Sequence, residues 1–225
     1  ILGRPLLDLD FGAVMGEGGG VIGSAAMSIK RALSIATTVQ GILGISEFEK
    51  AVGGLSSSAR SDGGETARTI ASLLNWMAEQ QEVFVIATAN DVRQLAPEQL
   101  RQGRFSQVVF MDLPTTQDRV EIFRVHLSKR GRVPESFDLG QLAAASDGFS
   151  GAEIEAAVSH SLLDAFMDGA RELTTADVLR RVGAIRPTAD VKREEIEELR
   201  RWAREHLAID AVSGPPATRE RHIEL

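Results

Sequence analysis

Apolar positions along this chain follow two rhythms. In the first half, short apolar runs stand at residues 5–11 (PLLDLDF), 41–45 (GILGI), 83–88 (VFVIAT) and 107–111 (QVVFM). Runs of this length, bounded by glycine, proline or polar residues, predict buried strands. Between and after them, apolar residues recur at helical intervals. Residues 24–39 offer Met27, Ala32, Leu33, Ile35 and Ala36 as a face. Residues 65–81 offer Ile70, Leu73, Leu74 and Met77, and residues 116–130 turn Val120, Ile122, Phe123 and Leu127 inward. Strands alternating with helices predict an α/β fold with a doubly wound parallel sheet.

Past Gly131-Arg132-Val133-Pro134 only the helical rhythm remains, over residues 139–145, 150–169, 174–185 and 193–207. Ser150 with Glu153 three positions on makes a capping box, and Thr175 is read as the cap of the next helix. The division predicted is an α/β core over 1–132, a small helical domain over 133–207 and a tail over 208–225, where Gly214-Pro215-Pro216 breaks the period. Two stretches, 16–23 (GEGGGVIG) and 52–64 (VGGLSSSARSDGG), are low in complexity and predict loops.

Composition narrows the partners. A net charge of −7 argues against broad electrostatic binding of nucleic acid. The chain has no cysteine, hence no disulfide framework and no thiolate metal site, and this fits a cytoplasmic location. No apolar run approaches the roughly 20 residues needed to span a bilayer, so no membrane is expected. The histidines, His126, His160, His206 and His222, are scattered without ligand spacing, so no metal site is expected from them. The chain opens on Ile1 and enters a strand almost at once, which suggests truncation.

Chemistry gathers at the ends of two predicted strands. Run 41–45 is followed by Ser46-Glu47-Phe48-Glu49-Lys50. At such a strand tip in a nucleotide-hydrolysing fold, an Asp orders a magnesium shell and a following Glu polarises the attacking water. Here the first place holds Ser46, a neutral hydroxyl and a poor ligand for a hard dication, and the second holds Glu47. The plainer reading makes Glu47 and Glu49 solvated charges. Run 83–88 ends in Ala87-Thr88-Ala89-Asn90, which puts Asn90 in the crevice where open α/β sheets bind ligands; the plainer reading is an Asn-Asp turn. Arg101 and Arg104 flank a glycine after a short helix, and guanidinium groups match phosphate oxygens. The plainer reading of these is surface arginines. Gly151 and Ala152 open a helix with small residues that permit close approach of a flat ring such as adenine, or merely start that helix. No lysine follows a glycine, so the phosphate loop G-x-x-x-x-G-K-[ST] is absent from these residues.

The run 87–105 (ATANDVRQLAPEQLRQGRF), with Ser46-Glu47 before it and Gly151-Ala152 after it, resembles the AAA family of AAA+ ATPases across most of the chain. Within that family it is most similar to the AAA proteins of cyanobacteria and plastids, on Asn75-Trp76-Met77, residues 84–90 and residues 193–203. The resemblance implies a P-loop-type α/β core, here without its first strand and Walker A loop, followed by a helical lid. It implies ATP or ADP with Mg²⁺, and a ring of self or homologous subunits, typically six, that remodels protein partners. Glu47 falls at the catalytic base, Asn90 at the first sensor, and Arg101 and Arg104 at the arginine fingers acting in trans. Ser46 stands at the Walker B aspartate, and Gly151 and Ala152 at the lid's nucleotide contact. The family's pore loop falls near 16–23 and usually carries an aromatic residue; here Met15, Val21 and Ile22 occupy that stretch. Because Walker A is lacking and Walker B is degenerate, a second expectation stands beside the first: a non-hydrolysing AAA+-like subunit that lends Arg101 and Arg104 to an active partner. A third makes residues 174–207 an acidic helical interaction module on a sheet scaffold.

Overall fold

The structure, a computed structural model, describes residues 3–10, 24–53, 65–80, 82–92, 95, 104–206 and 208–211. The glycine loop at 16–23, the stretch 54–64 and Arg101 lie outside these residues. The chain divides into two compact units, Ile1–Ser106 and Gln107–Leu225.

In the first unit three strands, β1 (Leu6–Leu9), β2 (Ile42–Ile45) and β3 (Phe84–Ala87), form a parallel sheet in the order β1–β2–β3. Leu9 pairs with Ile45 and Ile45 with Ala87, so the three C-terminal ends lie level. Parallel neighbours need crossover connections. They are supplied by α1 (Ser24–Thr38) and by the segment carrying α2 (Phe48–Gly53) and α3 (Glu65–Glu79). The α3 stripe Ile70, Leu73, Leu74 and Met77 is buried as its spacing predicts. On α1 the buried stripe is Ile29, Leu33 and Ala36, whereas Met27 and Ile35 of the expected face are exposed. They sit two residues from Ile29 and Leu33, about 200° around the helix. Helix α2 takes up the start of a stretch expected to be loop, because Phe48 and Val52 are both buried in the core. Gly41 is required by packing: a Cβ there would lie 2.5 Å from Leu7 Cδ1 and 2.9 Å from the Pro5 carbonyl oxygen.

In the second unit β4 (Val109–Phe110) pairs in parallel with β5 (Ile209–Asp210), so part of the expected tail is a strand. Between them run α4 (Thr116–Lys129), α5 (Leu139–Ala145), α6 (Gly151–Met167), α7 (Thr175–Val182), α8 (Thr188–Val191) and α9 (Arg193–Glu205). Their core is built on Phe123, Leu127, Leu142, Phe149, Ile154, Val158 and Val178, all buried. Capping boxes start α4 at Thr115, α6 at Ser150 and α7 at Thr174. The α7 cap is thus one residue ahead of the expected Thr175, because the N3 carboxylate is Asp177. The Thr175 hydroxyl instead accepts the Asp138 N–H at 3.1 Å.

Asp177 is buried beneath this cap at 2% exposure. Arg171 donates to both of its oxygens, at 2.7 and 2.9 Å, and holds its carboxyl far below the usual carboxylate range. Arg200 of α9 makes a similar two-pronged pair with Asp112, at 2.7 and 2.9 Å, which fixes α9 beside the segment that follows β4.

Candidate functional site

The level ends of β2 and β3 bring Ser46-Glu47 beside Thr88-Asn90. The ladder continues past the strands: Thr88 N–H donates to the Ile45 carbonyl and Phe48 N–H to the Thr88 carbonyl, both at 2.9 Å. Glu47 lies between these two rungs and takes a left-handed backbone, φ 52°. Non-glycine residues rarely adopt this conformation, and it costs of order 1–3 kcal/mol where the surroundings enforce it. Here the surroundings are the two rungs and a weak bond from Glu47 N–H to Thr88 Oγ1 at 3.4 Å. The result turns Glu47 and Ser46 out into solvent while Phe48 enters the core. The Glu47 carboxylate accepts from Lys50 Nζ at 2.7 Å, which raises the Lys50 pKa.

Asn90 carries an exposed side chain on the neighbouring tip. Its backbone N–H donates to Glu49 Oε1 at 3.1 Å. Glu49 is therefore no solvated charge: it is 3% exposed, and its other carboxylate oxygen, Oε2, is buried with no hydrogen-bond partner. Nothing in a Glu-Phe-Glu-Lys string signals this, since the partner lies just past β3, 41 residues away.

Arg104 is half-buried in a turn of the same unit. Next to it, the Phe105 ring meets Phe48 edge-on, with centroids 5.5 Å apart and planes at 74°. The Arg104 loop is thereby tied to the residue that lies between Glu47 and Glu49.

Gly151 and Ala152 belong to the second unit. Gly151 lines a cavity of about 220 Å³ whose wall also includes Phe110, Asp112, Pro114, Ile196 and Leu199. A Cβ on Gly151 would meet only Ile122 Cδ1, at 3.9 Å, an ordinary contact, so internal packing does not demand a glycine there. Ala152 is exposed and is not part of that wall.

The described residues offer no donor set for a metal ion at the strand tips. Ser46 supplies no charge at the strand tip, and among the described residues no group of three His, Asp or Glu side chains gathers to hold a metal ion. Of the described histidines, His126 lies 3.6 Å from Glu155, and burial lowers its pKa. His206 stacks on Trp202. Among the described residues no helix is long and apolar enough to cross a membrane.

Comparison with known proteins identifies the family and the fold. The sequence pattern of the "ATPase family associated with various cellular activities (AAA)" matches residues 1–113, and that of the "AAA+ lid domain" matches 136–180. The "Uncharacterized AAA domain-containing protein ycf46" of Pyropia yezoensis is 38% identical over 210 residues, which is 92% of this chain and 42% of that protein. The "Proteasome-activating nucleotidase" of Aeropyrum pernix is 32% identical over 129 residues, covering 56% of this chain and 31% of its own length. The chain thus spans about two fifths or less of these curated relatives. A crystal structure of the FIGL-1 AAA domain matches with a TM-score of 0.69 over 88% of this chain and 67% of that one. At 16% identity, that likeness concerns the fold alone.

Proposed function

Because the chain belongs to the AAA family of ATPases and carries an AAA+ lid, we propose that it is an AAA+ ATPase-type module that couples ATP hydrolysis to the remodelling of protein partners in an oligomeric ring, in a cytoplasmic setting. The observation that carries this reading is the pair of adjoining strand tips, where a strained Glu47 and Asn90 stand on neighbouring parallel strands. In this reading the exposed Glu47 carboxylate takes a proton from the attacking water, and Asn90 orients that water through its carboxamide. Arg101 and Arg104 act in trans on a neighbouring subunit's phosphates, where a guanidinium offsets developing negative charge. Ser46 lies against the nucleotide as a neutral donor. Gly151 and Ala152 leave room for the flat adenine ring. The division into a core over 1–132, a lid over 133–207 and a tail over 208–225 belongs to the same proposal. The name of the proteasome-activating nucleotidase, a nucleotide-handling activator of another assembly, supports a protein as the partner class.

A mixing experiment tests the trans role. Arg104→Ala in the natural polypeptide that carries this chain is expected to slow ATP turnover about tenfold, because Arg101 remains as a second guanidinium. Mixed rings of Arg104→Ala and Glu47→Gln subunits should turn over ATP faster than rings of either variant alone, because an Arg104→Ala subunit can draw on its Glu47→Gln neighbour's arginine. No gain in the mixed rings would count against action across a subunit boundary.

Ser46 favours a second reading, a non-hydrolysing subunit that lends its arginines to an active partner. Its mark is a wild-type polypeptide with no turnover alone, whose Arg104 is nevertheless needed for turnover by a co-assembled AAA+ ATPase.

A further inference from the structure

Glu49 has the environment of a group held for a purpose other than packing. Burying a carboxylate is costly unless hydrogen bonds compensate it. Here only one oxygen is satisfied, by the Asn90 N–H, while Oε2 is buried without a partner. Glu49 stands in the first turn of α2 between Phe48, which anchors the helix in the core, and Lys50, which points to solvent beside Glu47. The backbone ladder between the two tips ends with Phe48 N–H on the Thr88 carbonyl. One step further, no backbone carbonyl of β2 receives the Asn90 N–H, and the Glu49 carboxylate takes that place.

We infer that Glu49 is a positioning residue: its carboxylate extends the β2–β3 ladder by one rung through a side chain and so fixes the backbone of Asn90 relative to Glu47. This deepens the hydrolysis reading and rests on it for the function of Asn90. The hold on the Asn90 amide itself is independent of nucleotide. An N–H bonded to a charged acceptor is about twice as strong as one bonded to a neutral acceptor. A carboxylate there therefore gives a stiffer tip than an amide side chain would.

The test is residue-resolved amide hydrogen exchange of this chain, with the Thr88 amide, bonded to Ile45, as the internal reference. In Glu49→Ala the Asn90 amide is expected to exchange more than about tenfold faster, and the Thr88 amide to change less than about threefold. In Glu49→Gln, which keeps an acceptor oxygen, the rise at Asn90 should be smaller, about threefold, and this variant carries the test should the alanine variant not fold. In the natural polypeptide, Glu49→Ala should lower kcat for ATP about tenfold with the ATP Kd unchanged, and Glu49→Gln should restore most of it. An Asn90 amide that exchanges no faster in either variant overturns the inference, as does equal acceleration at Asn90 and Thr88, which would mean general loosening of the sheet. Selective acceleration at Asn90 in a polypeptide without any ATP turnover would sink the hydrolysis reading and leave the hold of Glu49 on Asn90 standing.

Discussion

Glu47→Gln is expected to slow ATP turnover by the natural polypeptide carrying this chain by about 10²- to 10⁴-fold, the range for removal of a general base. The substitution is nearly isosteric. It leaves the rungs Thr88 N–H to Ile45 and Phe48 N–H to Thr88 untouched, because both are made by backbone atoms outside the Glu47 side chain. It also leaves the left-handed backbone at Glu47, φ 52°, which is imposed by those rungs. What it removes is the only strong proton acceptor exposed on the β2 tip, since Ser46 is neutral and Glu49 is buried. Nucleotide affinity should be kept, so the loss falls on kcat rather than on binding. Steady-state turnover with a parallel binding titration checks it. An unchanged rate would remove Glu47 from the chemistry.

Asp177→Ala is expected to cost the second unit about 2 kcal/mol, read as a fall in the urea midpoint of the chain. Asp177 is 2% exposed and does two jobs. It is the N3 carboxylate of the α7 capping box, accepting from Thr174 N–H at 3.1 Å, and it is the partner of Arg171. Removing one member of a fully buried pair costs about 3–5 kcal/mol. Here Arg171 is 37% exposed, so water recovers part of its charge and the loss is smaller. The pH dependence follows from the lowered carboxyl pKa. Asp177 is charged in the folded state well below the pH at which it protonates in the unfolded chain, near about 3.9. Its stabilisation is therefore present above that value and is lost progressively as pH falls below it. Wild type should weaken steeply on acidification below about pH 4, and Asp177→Ala should flatten that slope. Parallel acid arms in the two proteins would contradict the assignment.

Long elements with a clear period were legible in the sequence. The α3 stripe and the α4 pair Phe123 and Leu127 are buried as their spacing implied, because an amphipathic helix states its inner face locally. The short strands β1 to β4 also fall within predicted apolar runs, but α8 and β5 were not legible. Helix α8 has four residues and β5 two, too few for any period. Strand β5 exists through its pairing with β4, Val109 opposite Ile209, a partner 100 positions away that no local pattern reveals. On α1 the apolar residues outnumber the places on one face, so spacing alone could not choose Ile29 over Met27.

The candidate site divides in the same way. Glu47 and Asn90 were found as residue types at predicted strand ends, and the register of β2 and β3 sets those ends side by side. Glu49 was legible only as a solvated charge, because its burial is decided by the Asn90 amide rather than by its neighbours in sequence. The link from Phe105 to Phe48 was equally hidden, being a contact between a loop and the start of α2, 57 positions apart.

The account stands most directly on nucleotide handling by this fold. Titration of the natural polypeptide carrying this chain, wild type and Glu47→Gln, with a fluorescent ATP analogue is the decisive measurement. Saturable binding by both proteins, with hydrolysis of ATP confined to the wild type, is the result predicted. Absence of saturable binding in both would contradict the claim that this AAA module works through ATP.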